Sequence, residues 1–308
     1  MFYRRIAFFL AMILPGVAVA EPKVVVSIKP IASLVGGVMA GVGTPTVLVG
    51  GGQSLHTFSL KPSDARALND ADVVFWVGEG LEAFLEKPID ALSDKAMVVE
   101  LAEAPGLVVL NGREGGVWEK HADDEHDEHD HGNHAHNSAH NFDGHLWLDP
   151  INAKAIVTAA QNALSKADPA HAANYSTNAN ALLTKLDALD AELRQAFAPI
   201  KARPFVVFHD GYQYLEKRYG LNAVGSLTVS PDRTPGAKRV SEIKDKITSL
   251  NAACVFAEPQ FEPKLIATLI DGTNAKTGTL DPEASTLPAG PDLYFNLMRG
   301  LAANLKSC

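Results

Sequence analysis

Short runs of Val, Ile and Phe alternate along this chain with segments whose apolar residues recur at helical spacing. Residues 23–28, 46–49, 72–77 and 97–101 read as strands, separated by helical patterns at 31–40, from Pro62-Ser63-Asp64 onward, and at 81–91. Continuous apolar strands between helices mark parallel sheets covered on both faces, rather than sheets with one wet side. The alternation stops between about Gly112 and Phe142 and resumes at Asp149-Pro150, a cap-plus-proline start for a helix over 151–166. Residues 169–197 follow with Leu182, Leu183, Leu186, Leu189 and Leu193 at helical spacing. At 1.5 Å per residue such a helix reaches about 40 Å, enough to cross a domain.

Beyond it, strands are expected at 204–208, 223–229, 254–257 and 277–280, with helices at 212–219, 237–250, 263–270 and 291–305. The pattern therefore predicts an α/β protein of two Rossmann-like lobes with mostly parallel sheets, joined by one long linking helix. The N-terminal lobe is expected over 21–168, with a disordered insertion near 114–142. The linking helix is expected over 169–198 and the C-terminal lobe over 199–308.

Residues 1–20 have the form of a secretory signal peptide: Arg4 and Arg5, an apolar stretch over 6–14, then Ala18-Val19-Ala20 as a cleavage site. No cysteine follows that site, so lipidation is not expected. Past residue 20 no apolar run reaches the ~18 residues of a spanning helix. A soluble, exported chain is expected. The full sequence's net charge of −9 argues against a nucleic-acid partner bound through a basic surface. Export also changes the reading of Cys254 and Cys308, since two cysteines outside the cytosol usually pair. A bridge between them would tether the C-terminus for roughly 4 kcal/mol. A reactive thiol pair would need a CxxC spacing that is absent.

The 11 histidines are the chemistry-bearing residues. Seven of them, His121, His126, His129, His131, His134, His136 and His140, fall in one low-complexity tract interleaved with Asp and Glu. Such a tract cannot build a core, but its imidazoles suit Zn, Cu or Ni, so it is expected to be an accessory metal-binding loop. His171 lies among polar and Ala residues and is expected at the surface. Of the remaining three, His56 follows the second strand, His145 precedes the helix start at Asp149-Pro150, and His209 ends the run Phe205-Val206-Val207-Phe208. Ligands gather beyond the carboxyl ends of strands in open α/β sheets, which points to a site between the lobes. Three converging neutral imidazoles suit Zn(II). Asp281 could add an oxygen ligand or support a ligand from behind. Asp149, Asp210 and Glu258 could orient histidines, although Asp149 fits better as a helix cap.

These motifs bear a resemblance. His56 with Leu60-Lys61-Pro62-Ser63-Asp64, the stretch from Asp72 to Gly78 leading into Leu81-Glu82-Ala83-Phe84, the His-rich insertion, His145-Leu146-Trp147-Leu148-Asp149-Pro150, Phe208-His209-Asp210 and Leu280-Asp281-Pro282 occur in order over essentially the whole chain after residue 20. In this the chain resembles the periplasmic zinc-binding receptors of bacterial ABC importers, the ZnuA-type members of the cluster A-I substrate-binding family. The resemblance implies two lobes on a rigid helix and His56, His145 and His209 as zinc ligands. It also implies a Cys254–Cys308 disulfide and delivery of zinc, as transported ligand, to a membrane permease. Enteric members carry Glu before the first histidine, where this chain has Leu55. That difference leaves water or Asp281 for the fourth ligand position.

The competing readings are a manganese or iron receptor of the same fold, a periplasmic zinc enzyme, and a metal-dependent adhesin, to which nothing in the sequence points. Manganese prefers oxygen donors, and receptors for it carry Glu where His209 stands. The chain has no HExxH and no glutamate spaced beside a ligand as a general base would be, so no catalysis is expected. A monomer is expected.

Overall fold

The computed structural model describes residues 21–50, 55, 58–113, 118, 142–228, 236–260 and 264–308. Its N-terminal lobe comprises β1 (Val24–Ile28), α1 (Lys29–Val38), β2 (Thr46–Val49), α2 (Pro62–Asn69), β3 (Val73–Trp76), α3 (Glu79–Leu92) and β4 (Met97–Glu100). The four strands form one parallel sheet in the order β2-β1-β3-β4. Two helices, α4 (Pro150–Ala167) and α5 (Ala172–Phe197), then lead to a second lobe. That lobe contains β5 (Pro204–His209), α6 (Gln213–Tyr219), β6 (Asn222–Thr228), α7 (Ala237–Ser249), β7 (Cys254–Ala257), α8 (Lys264–Ile270), β8 (Lys276–Thr279) and α9 (Leu293–Ser307). Its sheet is also parallel, in the order β6-β5-β7-β8.

Both sheets thus share one topology. The chain winds outward from the first strand to one side, then returns and winds to the other. The switch points lie between β1 and β3 in one lobe and between β5 and β7 in the other. Ligands collect at such points, beyond the carboxyl ends of the strands.

The long helix starts later than its apolar pattern predicts. Pro169–His171 form a separate 3₁₀ turn after Asp168, whose backbone is not helical (φ −133°, ψ 78°). The Asp168 carboxylate takes a hydrogen bond from Tyr175 Oη and shares another with His171 Nδ1, both at 2.7 Å. His171 is therefore half-buried at the helix base, not a free surface histidine as expected from its neighbours. Along α5, Tyr175, Ala179, Leu182, Leu186, Leu189, Leu193 and Phe197 are buried at 3- and 4-residue steps. Leu183, which shares the leucine pattern, is only partly buried.

The face of α5 belongs to a core that runs through both lobes, with residues from α1, α4, α9 and both sheets. Each leucine buried there contributes roughly 1.5–3 kcal/mol, which sets the lobes rigidly on the helix. Backbone approach is close where α1 crosses α5: a Cβ on Gly37 would come within 2.8 Å of Leu182 Cδ1. The last helix, α9, packs against α5 and back onto α1. A disulfide between Cys254, at the start of β7, and Cys308 closes the C-terminus onto the sheet, as the resemblance implies.

Candidate metal centre

His209 is the last residue of β5 and is fully buried. The parallel register pairs Phe205 with Cys254 and Val206 with Val255. Carried three residues further, that register sets His209 beside Glu258, the first residue past β7. The two do meet: His209 Nδ1 lies 2.5 Å from Glu258 Oε1, and Tyr212 Oη donates to the same oxygen at 3.2 Å. The switch point of the second sheet thus builds a carboxylate–histidine pair from its two central strands.

His145 reaches the same place from the other lobe. It stands before a 3₁₀ turn, Leu146–Leu148, and the Asp149 carboxylate then caps α4 by accepting from Ile151 N at 2.8 Å. Asp143 Oδ1 accepts from His145 N at 3.0 Å and lies 2.8 Å from its Nδ1. Tyr214 Oη fixes this segment by donating to Asp143 O at 2.7 Å, while accepting from Leu110 N at 3.0 Å. Trp147, next to Leu146, donates from its indole to Pro282 O at 2.9 Å.

The two imidazoles face each other with Nε2 to Nε2 at 3.1 Å. A carboxylate at each Nδ1 keeps the proton on that nitrogen and leaves a lone pair on Nε2. Two opposed lone pairs repel unless a proton or a cation lies between them. Nitrogens bound at 2.0–2.1 Å to one tetrahedral zinc ion are about 3.3 Å apart. The observed spacing suits that geometry. Gly211 leaves the space open: a Cβ there would collide with His209 Nε2 and lie 3.0 Å from His145 Nε2.

The surroundings are strongly acidic. Asp143, Glu258 and Glu283 are all buried. Burial, reinforced by Glu258, pushes the Glu283 carboxyl up to about 8, with His145 and a hydrogen bond from Leu55 N acting the other way. Glu283 Oε2 accepts that bond at 3.4 Å. Burial alone would lower the His209 imidazole, but the charge and hydrogen bond of Glu258 outweigh it and hold His209 above the ordinary histidine value.

Asp281 does not offer a free carboxylate. Its oxygens accept from the backbone N–H and hydroxyl of both Ser285 and Thr286, at 3.0–3.2 Å. Asp210 does not orient a histidine either. It takes a two-pronged guanidinium contact from Arg113, which also binds Glu216 at 2.9 Å and 3.0 Å.

Of the residues expected in the centre, the structure brings together His145 and His209. His56 and the seven histidines of the tract, His121, His126, His129, His131, His134, His136 and His140, lie outside the described residues. Among the described residues no three His, Cys, Asp or Glu side chains form a ready-made metal cluster. Sequence reasoning singled out Glu258 but assigned no role to Asp143, Gly211, Tyr212, Glu283 or Arg113. Asp143 had a legible signal, standing two residues before a candidate ligand. Glu283 and Arg113 had none, because their partners are distant in sequence.

The family model described as "Zinc-uptake complex component A periplasmic" matches residues 24–308. The high-affinity zinc uptake system protein ZnuA of Brucella abortus (strain 2308) is 51% identical over 303 residues, covering 92% of this chain and 91% of that protein. The protein of the same name from Yersinia pestis is 32% identical, covering 94% and 92%. Among solved structures, a mutant of the laminin-binding adhesin Lmb from Streptococcus agalactiae superposes with a TM-score of 0.74 at 25% identity, covering 93% of this chain and 98% of that one. A crystal structure of ZnuA superposes with a TM-score of 0.75 at 24% identity, covering 93% and 97%, and supports the fold. With a family model spanning both lobes and a relative at half identity over nearly its whole length, the chain belongs to the ZnuA family of periplasmic zinc-uptake components.

Proposed function

We propose that this protein is a periplasmic receptor that binds Zn(II) between its lobes and hands it to the membrane permease of an ABC importer. The observation that carries the reading is the facing Nε2 pair of His145 and His209, each backed by a buried carboxylate. Nitrogen donors favour zinc over manganese or iron. The buried carboxylates around the pair supply the negative charge that a divalent cation neutralises.

In this reading His56 is the third ligand, brought in next to Leu55, whose N–H already meets Glu283. Glu283 completes the set as the fourth donor. Asp281, whose Oδ1 accepts one hydrogen bond and whose Oδ2 accepts three, supports the loop instead. The histidine tract, rooted beside Arg113 and Phe142, gathers zinc as an accessory site of lower affinity. The protein is a carrier and not an enzyme: Glu258 and Asp143 are spent on holding imidazoles, which leaves neither as a general base. Residues 1–20 act as its export signal, and it works as a soluble, unlipidated monomer. Its lobes span 21–168 and 199–308, and the segment 169–198 that joins them contains α5.

A competitive titration with Zn(II) and Mn(II) tests this, on chains with residues 121–140 present and deleted. One tight Zn(II) equivalent that survives deletion, with weaker equivalents lost, supports the reading. Loss of all tight binding on deletion places the site in the tract, and tighter Mn(II) than Zn(II) binding makes the cargo manganese.

A further inference from the structure

Lys29 opens α1 directly after β1, at the switch point of the first sheet. It stands one residue past the strand end, as Asp210 does after His209 in the second lobe. The side chain is buried, and its hydrogen bonds among the described residues go to backbone carbonyls, with the Asp281 charge acting on it at longer range. Its ammonium donates to Ala284 O at 2.6 Å, Leu287 O at 2.6 Å and Ser285 O at 3.3 Å. An ammonium has three protons, and here all three go to carbonyls of one loop of the opposite lobe. Those carbonyls converge because Ala284 adopts φ +56°, a left-handed conformation that a residue with a Cβ seldom takes.

Residues 281–287 are thereby held from both sides. The N–H groups of Ser285 and Thr286 face Asp281 within the loop. The carbonyls face Lys29. Glu283 lies between two pinned peptides, with Pro282 O fixed by the Trp147 indole at 2.9 Å and Ala284 O fixed by Lys29. Both donors come from the part of the chain that precedes the linking helix, whereas Glu283 follows it.

We infer that Lys29 is a positioning residue of the metal centre: it clamps the loop 281–287 so that Glu283 is presented to the His145–His209 pair, and so sets zinc affinity and release. The inference rests on the proposed zinc site. Lys29 itself touches no metal. Its effect passes through Glu283, and that route separates it from a lysine that merely stabilises the fold.

The test is a double-mutant cycle on the chain without its first 20 residues, with Lys29→Met, Glu283→Gln and the pair. Zinc dissociation constants are read by chelator competition, release rates by stopped flow, and folding by melting of the metal-free forms. Lys29→Met is expected to weaken zinc binding about 10-fold or more, in the range found for residues that orient ligands, with faster release. In the Glu283→Gln background the same change is expected to alter affinity less than twofold. An equal loss in both backgrounds, or no loss in either, overturns the inference. If Lys29→Met does not fold, Lys29→Arg is put through the same cycle, since a guanidinium cannot reproduce the three-carbonyl geometry. Absence of tight zinc binding by the unmutated chain refutes the zinc reading itself. Tight binding that ignores Lys29 refutes only the clamp.

Discussion

The Nε2 atoms of His145 and His209 lie 3.1 Å apart, and each ring is fixed from behind by a carboxylate, Asp143 in one case and Glu258 in the other. A buried imidazole pair built in this way is set to share a cation. Glu258→Gln keeps the volume but removes the charge that holds the proton on His209 Nδ1. Zinc affinity is expected to fall 10–100-fold, as is usual when the group behind a metal-bound histidine is lost. Asp143→Asn should act in the same range, and His209→Ala should cost more than either. Chelator competition with each purified variant measures this. A Glu258→Gln protein with unchanged affinity would mean that His209 is not a ligand.

Gly211 gives a sharper steric test. A methyl group there would collide with His209 Nε2, the atom that faces the cation, and its nearest neighbours are all ring atoms of His209 and His145. Gly211→Ala should therefore reduce zinc affinity by at least 10-fold, and lower the melting temperature of the metal-free protein only by what displacing the His209 ring costs. Calorimetric titration and melting, run side by side, separate the two effects. A variant that loses stability but keeps its affinity would show that the space beside Gly211 is not the metal position.

Much of this architecture was legible in the sequence, for identifiable reasons. The strands of both sheets are continuous apolar runs because they are covered on both faces, and each was found within a residue or two of its observed ends. Residues 169–171, expected as the start of the long helix, form a separate turn because Asp168 contacts His171 and Tyr175. His145 and His209 stood out because histidine at a strand end or before a helix start is an unusual place for a polar ring. Glu258 was legible as the residue after β7. Glu283 and Lys29 were not, since their roles arise only when residues more than 200 positions apart meet. For Asp281 the sequence shows a carboxylate, open to ligation or to support from behind, but not the four hydrogen bonds it accepts from Ser285 and Thr286.

Arg113 neutralises two largely buried carboxylates, Asp210 and Glu216, and stacks 3.5 Å above the Trp118 ring. Removing one partner of a buried ion pair costs more than removing both, because the remaining charge is left without compensation. Arg113→Met is thus expected to destabilise the protein by about 2–4 kcal/mol. The triple variant Arg113→Met/Asp210→Asn/Glu216→Gln should recover most of that loss. Chemical denaturation of the metal-free chains measures both. If the triple variant is no more stable than Arg113→Met alone, the network's contribution comes from packing and not from charge.

The raised carboxyl of Glu283 makes the metal-free protein sensitive to pH with a definite sign. Folding lifts this group from 4.5 to about 8, chiefly by burial and the nearby Glu258. Between those values the folded chain keeps a proton that the unfolded chain releases, so stability falls as pH rises through that window. His209 adds the same sign. Its folded value lies above 6.5, so the stabilisation it draws from Glu258 is complete below that pH and is lost as pH rises through the folded value. Glu82, raised to about 7 mainly by burial, contributes in the same direction and must be separated out. Glu283→Gln does this, because it removes one titration and leaves the other two. The metal-free protein is expected to lose on the order of 2–4 kcal/mol more stability between pH 5 and pH 8.5 than Glu283→Gln does. Zinc reverses the trend, because it binds the deprotonated groups and its stabilisation grows with pH. Denaturation at several pH values, with and without excess Zn(II), gives all four curves. Parallel curves for the two metal-free proteins would show that Glu283 carries its charge without zinc and that its burial is not what the metal relieves.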